Sequence, residues 1–282
     1  MSDFLEQMAT SSRERVIAAK SRVSEASLLD RALASLPPVP LRPSPERFDL
    51  IAELKLRSPA LGQLKSAGED VAARVTAYAR AGAAAVSVLT EPTRFDGSME
   101  HLETATRSLA PLQVPAMRKD FVVDPYQVME ARAAGAGGIL VILRMLPAAD
   151  TRALLDCASR LGLFVLLEAF DAADIEAMHD LVGTPRAPGP PVLAGLNCRD
   201  LATLQIVPKR LTELAYLLPV NVPRVAESGV ASAEDAARVA EFGYDFVLVG
   251  SALMQGGDPH ALASAMLASG RAKKSGHAKG SK

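Results

Sequence analysis

Eight short runs rich in β-branched and other apolar residues alternate along this chain with Ala-rich, helix-patterned segments of roughly ten to sixteen residues. Strands that alternate with helices pair in parallel, because each helical crossover returns the chain to the end of the sheet where the previous strand began. The runs are DLIAELK from Asp49, AAVSVLT from Ala84, PAMRKDF from Pro115, GGILVILR from Gly137, LFVLLEAF from Leu163, VLAGLNCR from Val192, RVAESGV from Arg224 and DFVLVGSAL from Asp245. The helical segments carry their own punctuation. In SAEDAARVAEFG, Ser232 is placed to cap the N-terminus, Glu234 and Asp235 suit the positive end of the helix dipole, and Gly243 closes the segment. DPYQVMEARAAG from Asp124 follows the same grammar, with Pro125 at the first helical position. Eight strand-helix units in about 220 residues predict an α/β fold, the (β/α)8 or TIM barrel.

The flanks differ from the barrel repeat. Residues 1–48 have helical spacing followed by the Pro-rich connector LPPVPLRPSP from Leu36, which predicts one or two extra N-terminal helices that cover part of the barrel. The barrel is assigned to residues 49–269, with GTPRAPGPP from Gly183 as a loop. The basic, Gly- and Ser-rich end, residues 270–282, is expected to be disordered.

Composition narrows the function. The 31 Lys and Arg and 32 Asp and Glu are dispersed and sum to a net charge of -1, which argues against nucleic acid and for a small, discrete ligand. Cys157 and Cys198 form no disulfide framework or metal-ligand pattern, which points to the reducing cytoplasm. The N-terminus lacks a signal-peptide apolar region, and no run reaches the roughly 18 apolar residues that span a bilayer, so no membrane association is expected. His101, His179, His260 and His277 neither end a predicted strand nor form a zinc-type pair, so no metal site is expected. Acid–base chemistry would then fall to lysines and carboxylates in environments that shift their pKa values.

In such a barrel the C-terminal strand ends carry the active site. Side chains alternate across a strand, so Ile51, Glu53 and Lys55 share one face while the apolar set Leu50, Ala52 and Leu54 suits the helix layer. The same parity joins Met117, Lys119 and Phe121 on the third strand, Leu166 and Glu168 on the fifth, and Gly195, Asn197 and Arg199 on the sixth. One strand-end charge is more often a salt-bridged rim residue than a catalyst; four strands sharing inward parity favour a site. At the seventh and eighth strand ends, Gly229 and Gly250 allow close backbone approach to an anion, and Ser228 and Ser251 add hydroxyl donors. Barrels often bind phosphate there, which suggests a phosphorylated small-molecule substrate.

The segments IAELKLRSP, SVLTEPTRFDGSMEHL, RKDFVVDPYQVMEARAAGAGGILVI, LLEAF, GLNCRDL, AESGV and VLVGSALM resemble, in order and spacing, the motifs of the indole-3-glycerol-phosphate synthase family of tryptophan biosynthesis. The resemblance runs from about Ile51 to Met254; its block around Lys119 is the most specific part, whereas AESGV and VGSAL also fit other phosphate-binding barrels. It implies conversion of 1-(2-carboxyphenylamino)-1-deoxyribulose 5-phosphate to indole-3-glycerol phosphate by ring closure, decarboxylation and dehydration, without a metal or organic cofactor. By resemblance Lys119 is the general acid of ring closure, and Lys55, Glu53 and Glu168 jointly serve the dehydration. Asn197 and Arg199 orient the substrate, Ser58, Glu227 and Ser228 contact it, and Gly229, Gly250 and Ser251 cradle phosphate. Phe121 and Phe95 either pack on the aromatic ring or fill the core.

Leu56 departs from the family where a basic residue is common, and Ala60 and Leu61 replace the usual Ser-Lys before Gly62. Three readings compete: a sister phosphate-binding barrel such as a phosphoribosyl isomerase, a paralogue acting on a modified anthranilate, and a catalytically idle ligand-binding barrel. The first lacks RKDFVVDPYQ, and intact Glu53, Lys119 and Glu168 weigh against the last. A monomer is the default expectation.

Overall fold

The computed structural model describes residues 3–65, 68–183, 189–201, 203–255 and 258–280. Residues 184–188 of the loop expected after Gly183, and the last two residues of the tail, lie outside the described residues. Eight parallel strands close into a barrel: β1 (Asp49–Leu54), β2 (Ala85–Leu89), β3 (Ala116–Lys119), β4 (Gly138–Ile142), β5 (Phe164–Ala169), β6 (Val192–Asn197), β7 (Arg224–Glu227) and β8 (Phe246–Val249). Each strand pairs with its sequence neighbours, and β8 closes on β1 through Asp49 opposite Phe246 and Ile51 opposite Leu248.

The alternation read from the sequence sorts the apolar side chains into two separate bodies. Ile51, Ala85, Met117, Leu140, Leu166, Leu193, Val225 and Phe246 fill the barrel interior. Leu50, Ala52, Leu54, Val86, Val88, Ile139, Val141 and Val247 pack outward in a larger cluster with the helices. A one-residue slip would exchange the two sets, so burial on both faces fixes the register. The interior packs tightly at its base. A Cβ at Gly138 would lie 2.4 Å from the Phe164 ring, so the missing side chain makes room for that ring.

Two helices precede the barrel, α1 (Asp3–Lys20) and α2 (Glu25–Ala34). Ser24 caps α2 by accepting from the Ser27 N–H, and Leu28 and Ala32 form its buried stripe. The Tyr126 hydroxyl donates to the Val23 and Ala19 carbonyls, tying the junction of the two helices to the segment after β3.

At the other end of the chain a helix spans Pro259–Gly280 and runs through much of the segment whose composition suggests disorder. Tertiary contacts hold it. Gly270 lies against Phe48, Arg271 donates to the Phe48 carbonyl and pairs with Asp49 at 3.0 Å, and Lys274 pairs with Asp245 at 3.0 Å. Asp49 and Asp245 flank the N-terminal ends of β1 and β8, so these cations latch the helix to the barrel floor. Local propensity yields here to packing. Among the described residues, no helix is long and apolar enough to cross a membrane.

Candidate active site

The polar residues of inward parity meet at the C-terminal mouth around a cavity of about 330 Å³. Glu53, Lys55, Lys119, Glu168, Asn197, Arg199, Glu227, Ser228, Gly229, Gly250 and Ser251 all line it, as do Ser58, Phe95 and Phe121. Every residue given a catalytic, substrate or phosphate role from the sequence therefore lines one cavity.

Lys119 stands between two buried carboxylates, with its Nζ 3.8 Å from Glu53 Oε2 and 4.0 Å from Glu168 Oε1. Lys55 Nζ takes the other oxygen of Glu53 at 2.5 Å. Burial works against charge on both Glu53 and Lys119. For Glu53 the attraction of Lys55 and Lys119 outweighs it and holds the carboxyl below its usual range. For Lys119 the attraction of Glu168 and Glu53 outweighs it and raises the ammonium above the usual lysine range. The cluster is thus preset as ion pairs in a largely apolar vessel walled by Leu140, Ile142, Phe170 and Leu248.

Asn197 aligns the second carboxylate. Its Nδ2 donates to Glu168 Oε1 at 2.8 Å, while its Oδ1 accepts the Arg199 N–H at 2.9 Å. The Arg199 guanidinium is partly committed, since Nη1 donates to the Leu204 carbonyl at 2.7 Å and steadies the loop after β6. Ser58 likewise turns its hydroxyl to its own loop and accepts the Leu61 N–H at 3.1 Å. Leu56 is 4% exposed and packs in the outer apolar cluster, so this departure from the family pattern is a core side chain. Arg57, next to it, extends instead toward Asp96 at 3.7 Å.

Glu227 differs from the other two carboxylates. It is 1% exposed, and no protein donor reaches either of its side-chain oxygens. Burial, reinforced by the Glu168 charge, drives its pKa well above the usual carboxylate range, with Lys119 pulling the other way. The shift favours a proton on Glu227 where it approaches Glu168. Gly195 makes the approach possible: it sits opposite Glu168 in register, and a Cβ there would lie 2.3 Å from Glu227 Oε1.

A carboxyl whose folded pKa is raised holds a proton that the unfolded chain has already lost. Glu227 therefore weakens folding increasingly as pH climbs from the ordinary carboxylate range toward its native value. Glu227→Gln, a neutral isostere, is expected to gain melting temperature relative to the parent between pH 5 and pH 8. Parallel melting curves for the two proteins across that range would show that Glu227 is ionised instead.

The last two strand ends build an open backbone edge. Ser228 and Gly229 both take left-handed conformations, with φ of 65° and 70°. For Ser228 this is a sparsely populated state that the surrounding packing must hold. A Cβ at Gly250 would meet Glu53 Oε1 at 2.3 Å and Lys55 Nζ at 3.1 Å, so only glycine leaves those groups in place.

The N-terminal helices were expected to cover part of the barrel, but the sequence singled out none of their residues for the site. Phe4 and Leu5 of α1 line the cavity. The Phe4 ring meets that of Phe121 edge-on, with centroids 6.0 Å apart, and Phe95 lies 6.1 Å from Phe121 on another side. An aromatic residue at the start of an extra helix was the available signal, but nothing local said where that helix would dock.

Fold and mouth together define a (β/α)8 barrel with lysines and carboxylates clustered at its C-terminal end. The indole-3-glycerol phosphate synthase family model matches residues 5–266. Indole-3-glycerol phosphate synthase from Nocardioides sp. (strain ATCC BAA-499 / JS614) is 42% identical over 244 residues, covering 84% of this chain and 89% of its own. The enzyme of the same name from Parafrankia sp. (strain EAN1pec) is 40% identical over 224 residues, 79% of each chain. Among solved structures, 3-hexulose-6-phosphate synthase from Salmonella typhimurium aligns with a TM-score of 0.60 at 14% identity, over 80% of this chain and 100% of that one, a likeness of fold alone. The chain belongs to the indole-3-glycerol phosphate synthase family.

Proposed function

We propose that this cavity converts 1-(2-carboxyphenylamino)-1-deoxyribulose 5-phosphate into indole-3-glycerol phosphate, carbon dioxide and water, with Lys119 as the acid of the first step. The observation that carries the assignment is the Lys119 ammonium suspended between Glu53 and Glu168 in a vessel that limits water. In the first step the carboxylate-bearing ring carbon attacks the ribulose carbonyl carbon. Lys119 donates its proton to the carbonyl oxygen as charge develops there. Loss of carbon dioxide from the same ring carbon returns the bonding electrons to the ring and restores aromaticity. Dehydration then removes the new hydroxyl with an added proton, and a base takes a proton from the former C1′ methylene to form the ring double bond.

Lys55, Glu53 and Glu168 share these last two transfers. Their contacts suit it: Lys55 is a cation hydrogen-bonded to Glu53, and Glu168 is an anion steadied by Asn197. Substrate phosphate is assigned to Ser228, Gly229, Gly250 and Ser251, with Lys55 beside Gly250 supplying positive charge. Phe4, Phe95 and Phe121 receive the aromatic ring. The enzyme is read as a cytoplasmic monomer, consistent with two buried free thiols and near-zero net charge.

The chain has no tryptophan, so product indole fluorescence is measured against a low background. Adding the substrate to chelator-treated protein is expected to produce that fluorescence at an enzymatic rate. Binding by calorimetry without any rise would overturn the assignment and favour a modified-anthranilate substrate or an idle barrel.

A further inference from the structure

We propose that a buried ion network centred on Asp120 couples the seat of helix α1 to the placement of the Lys119 ammonium, so that Arg15 and Asp120 are positioning residues for the reaction. The inference rests on the assignment of Lys119 as the acid.

Strand parity gives the first indication. Lys119 faces the cavity, so Arg118 alternates toward the helix layer, where the other strands place apolar side chains, and Asp120 follows directly after the strand at the cavity edge. Arg118 and Asp120 are both 2% exposed. A buried arginine and aspartate are costly unless fully paired, and here they are. Arg118 donates to Asp120 at 3.1 Å, Glu130 at 3.0 Å, the Gln127 carbonyl at 2.8 Å and the Thr90 hydroxyl at 3.2 Å. Asp120 also accepts the Thr90 hydroxyl at 2.7 Å and the Phe121 N–H at 2.8 Å. The Thr90 N–H in turn donates to the Lys119 carbonyl at 3.1 Å. The backbone on both sides of Asp120 is thereby fixed.

The remaining partner comes from 105 residues away. Arg15 of α1 grips Asp120 with both terminal nitrogens, at 2.8 and 3.0 Å. One turn earlier, the Ser12 hydroxyl donates to the Phe121 carbonyl at 2.5 Å and accepts from Gln127 at 2.9 Å. At its start the same helix lays Phe4 and Leu5 against the cavity. One carboxylate therefore links three things: the helix that walls the substrate site, the strand end that aims Lys119, and the Phe121 ring. A paired Arg fork is directional, so losing it frees both the helix and the strand end. Misplacement of a reacting group by about 1 Å is enough to cost about 10²-fold in rate.

The test is steady-state kinetics of Arg15→Met, at a temperature where circular dichroism shows it folded, with Arg15→Lys alongside. The expected result is a kcat lowered at least about tenfold, a smaller rise in KM from the loosened Phe4 wall, and inhibition by inorganic phosphate unchanged, because the residues assigned to phosphate follow β7 and β8 across the barrel. Arg15→Lys, which keeps the charge but not the fork, is expected to fall between the two. In a Lys119→Met background, Arg15→Met is expected to add no further loss. Should Arg15→Met melt below the assay temperature, Ser12→Ala probes the same seat through the Phe121 carbonyl.

A folded Arg15→Met with parental kcat overturns the coupling, as does a loss that multiplies on top of Lys119→Met. Near-parental turnover by Lys119→Met alone overturns the catalytic assignment instead, which keeps the two failures distinct.

Discussion

Lys119→Met is expected to fold as the parent does and to lose turnover by about 10³-fold, within the range for removal of a general acid that also stabilises developing charge. Methionine retains most of the unbranched stem, so the packing change is small; what disappears is the ammonium. Glu53 keeps Lys55 at 2.5 Å, and Glu168 keeps the Asn197 amide at 2.8 Å, so neither carboxylate is left without a partner. On the proposed assignment the ribulose carbonyl would lose its proton donor, and the ring would have to attack an unpolarised electrophile. KM should then change far less than kcat, since the proposal gives aromatic ring and phosphate to other residues. Indole fluorescence with matched melting curves measures both quantities. A variant that is folded and turns over within about tenfold of the parent would remove Lys119 from the role.

The mouth was legible because a barrel turns strand parity into geometry. Once eight runs were recognised, Glu53, Lys119, Glu168 and Asn197 had to face inward at the same end, and they line one cavity. Gly195 was placed on the inner face by parity, but its purpose appears only in three dimensions: it clears the approach of Glu227 from the adjacent strand. The raised pKa of Glu227 was equally hidden, because it depends on burial and on the Glu168 charge brought in from another strand.

What stayed illegible depends on contacts between distant parts of the chain. The composition of the last segment suggests disorder, yet Arg271 and Lys274 meet Asp49 and Asp245 on the barrel floor and its backbone is helical. Leu56 occupies a position that family resemblance associates with charge, but the first loop turns it into the outer core. Helix α1 was expected, while its role as a wall of the site follows from docking rather than from its own pattern. The outward Arg118 was the overlooked signal. A charge at a position that strand periodicity reserves for apolar side chains needs buried partners, and Asp120, itself held by Arg15, is one of them.

Asp120→Asn should accordingly be the most damaging single change to stability, lowering it by about 3–5 kcal/mol, the usual result of removing one partner from a buried ion pair. For a domain of this size that corresponds to a fall of roughly 10 °C in melting temperature. Asparagine preserves shape but withdraws the charge, leaving Arg118 buried with Glu130 as its remaining anion.

The effect carries a pH signature. Burial pushes the Asp120 carboxyl upward, but Arg15, Arg118 and the Thr90 hydroxyl outweigh it and hold the folded pKa well below the usual carboxylate range. A depressed folded pKa stabilises the protein above the unfolded value, about 3.9 for aspartate, and that stabilisation is lost as pH falls through it toward the native value. The gap between parent and Asp120→Asn should be full at pH 7 and shrink below about pH 4, as read by denaturant titrations at each pH. A constant gap would mean that the network is held by shape rather than by charge. Arg15→Met removes the same charge contact from the other side, but the Arg15 side chain is 28% exposed and lies on a helix outside the barrel. Water can replace part of what Asp120 loses there, so the Arg15 variant should cost the protein mainly rate and the Asp120 variant both rate and fold.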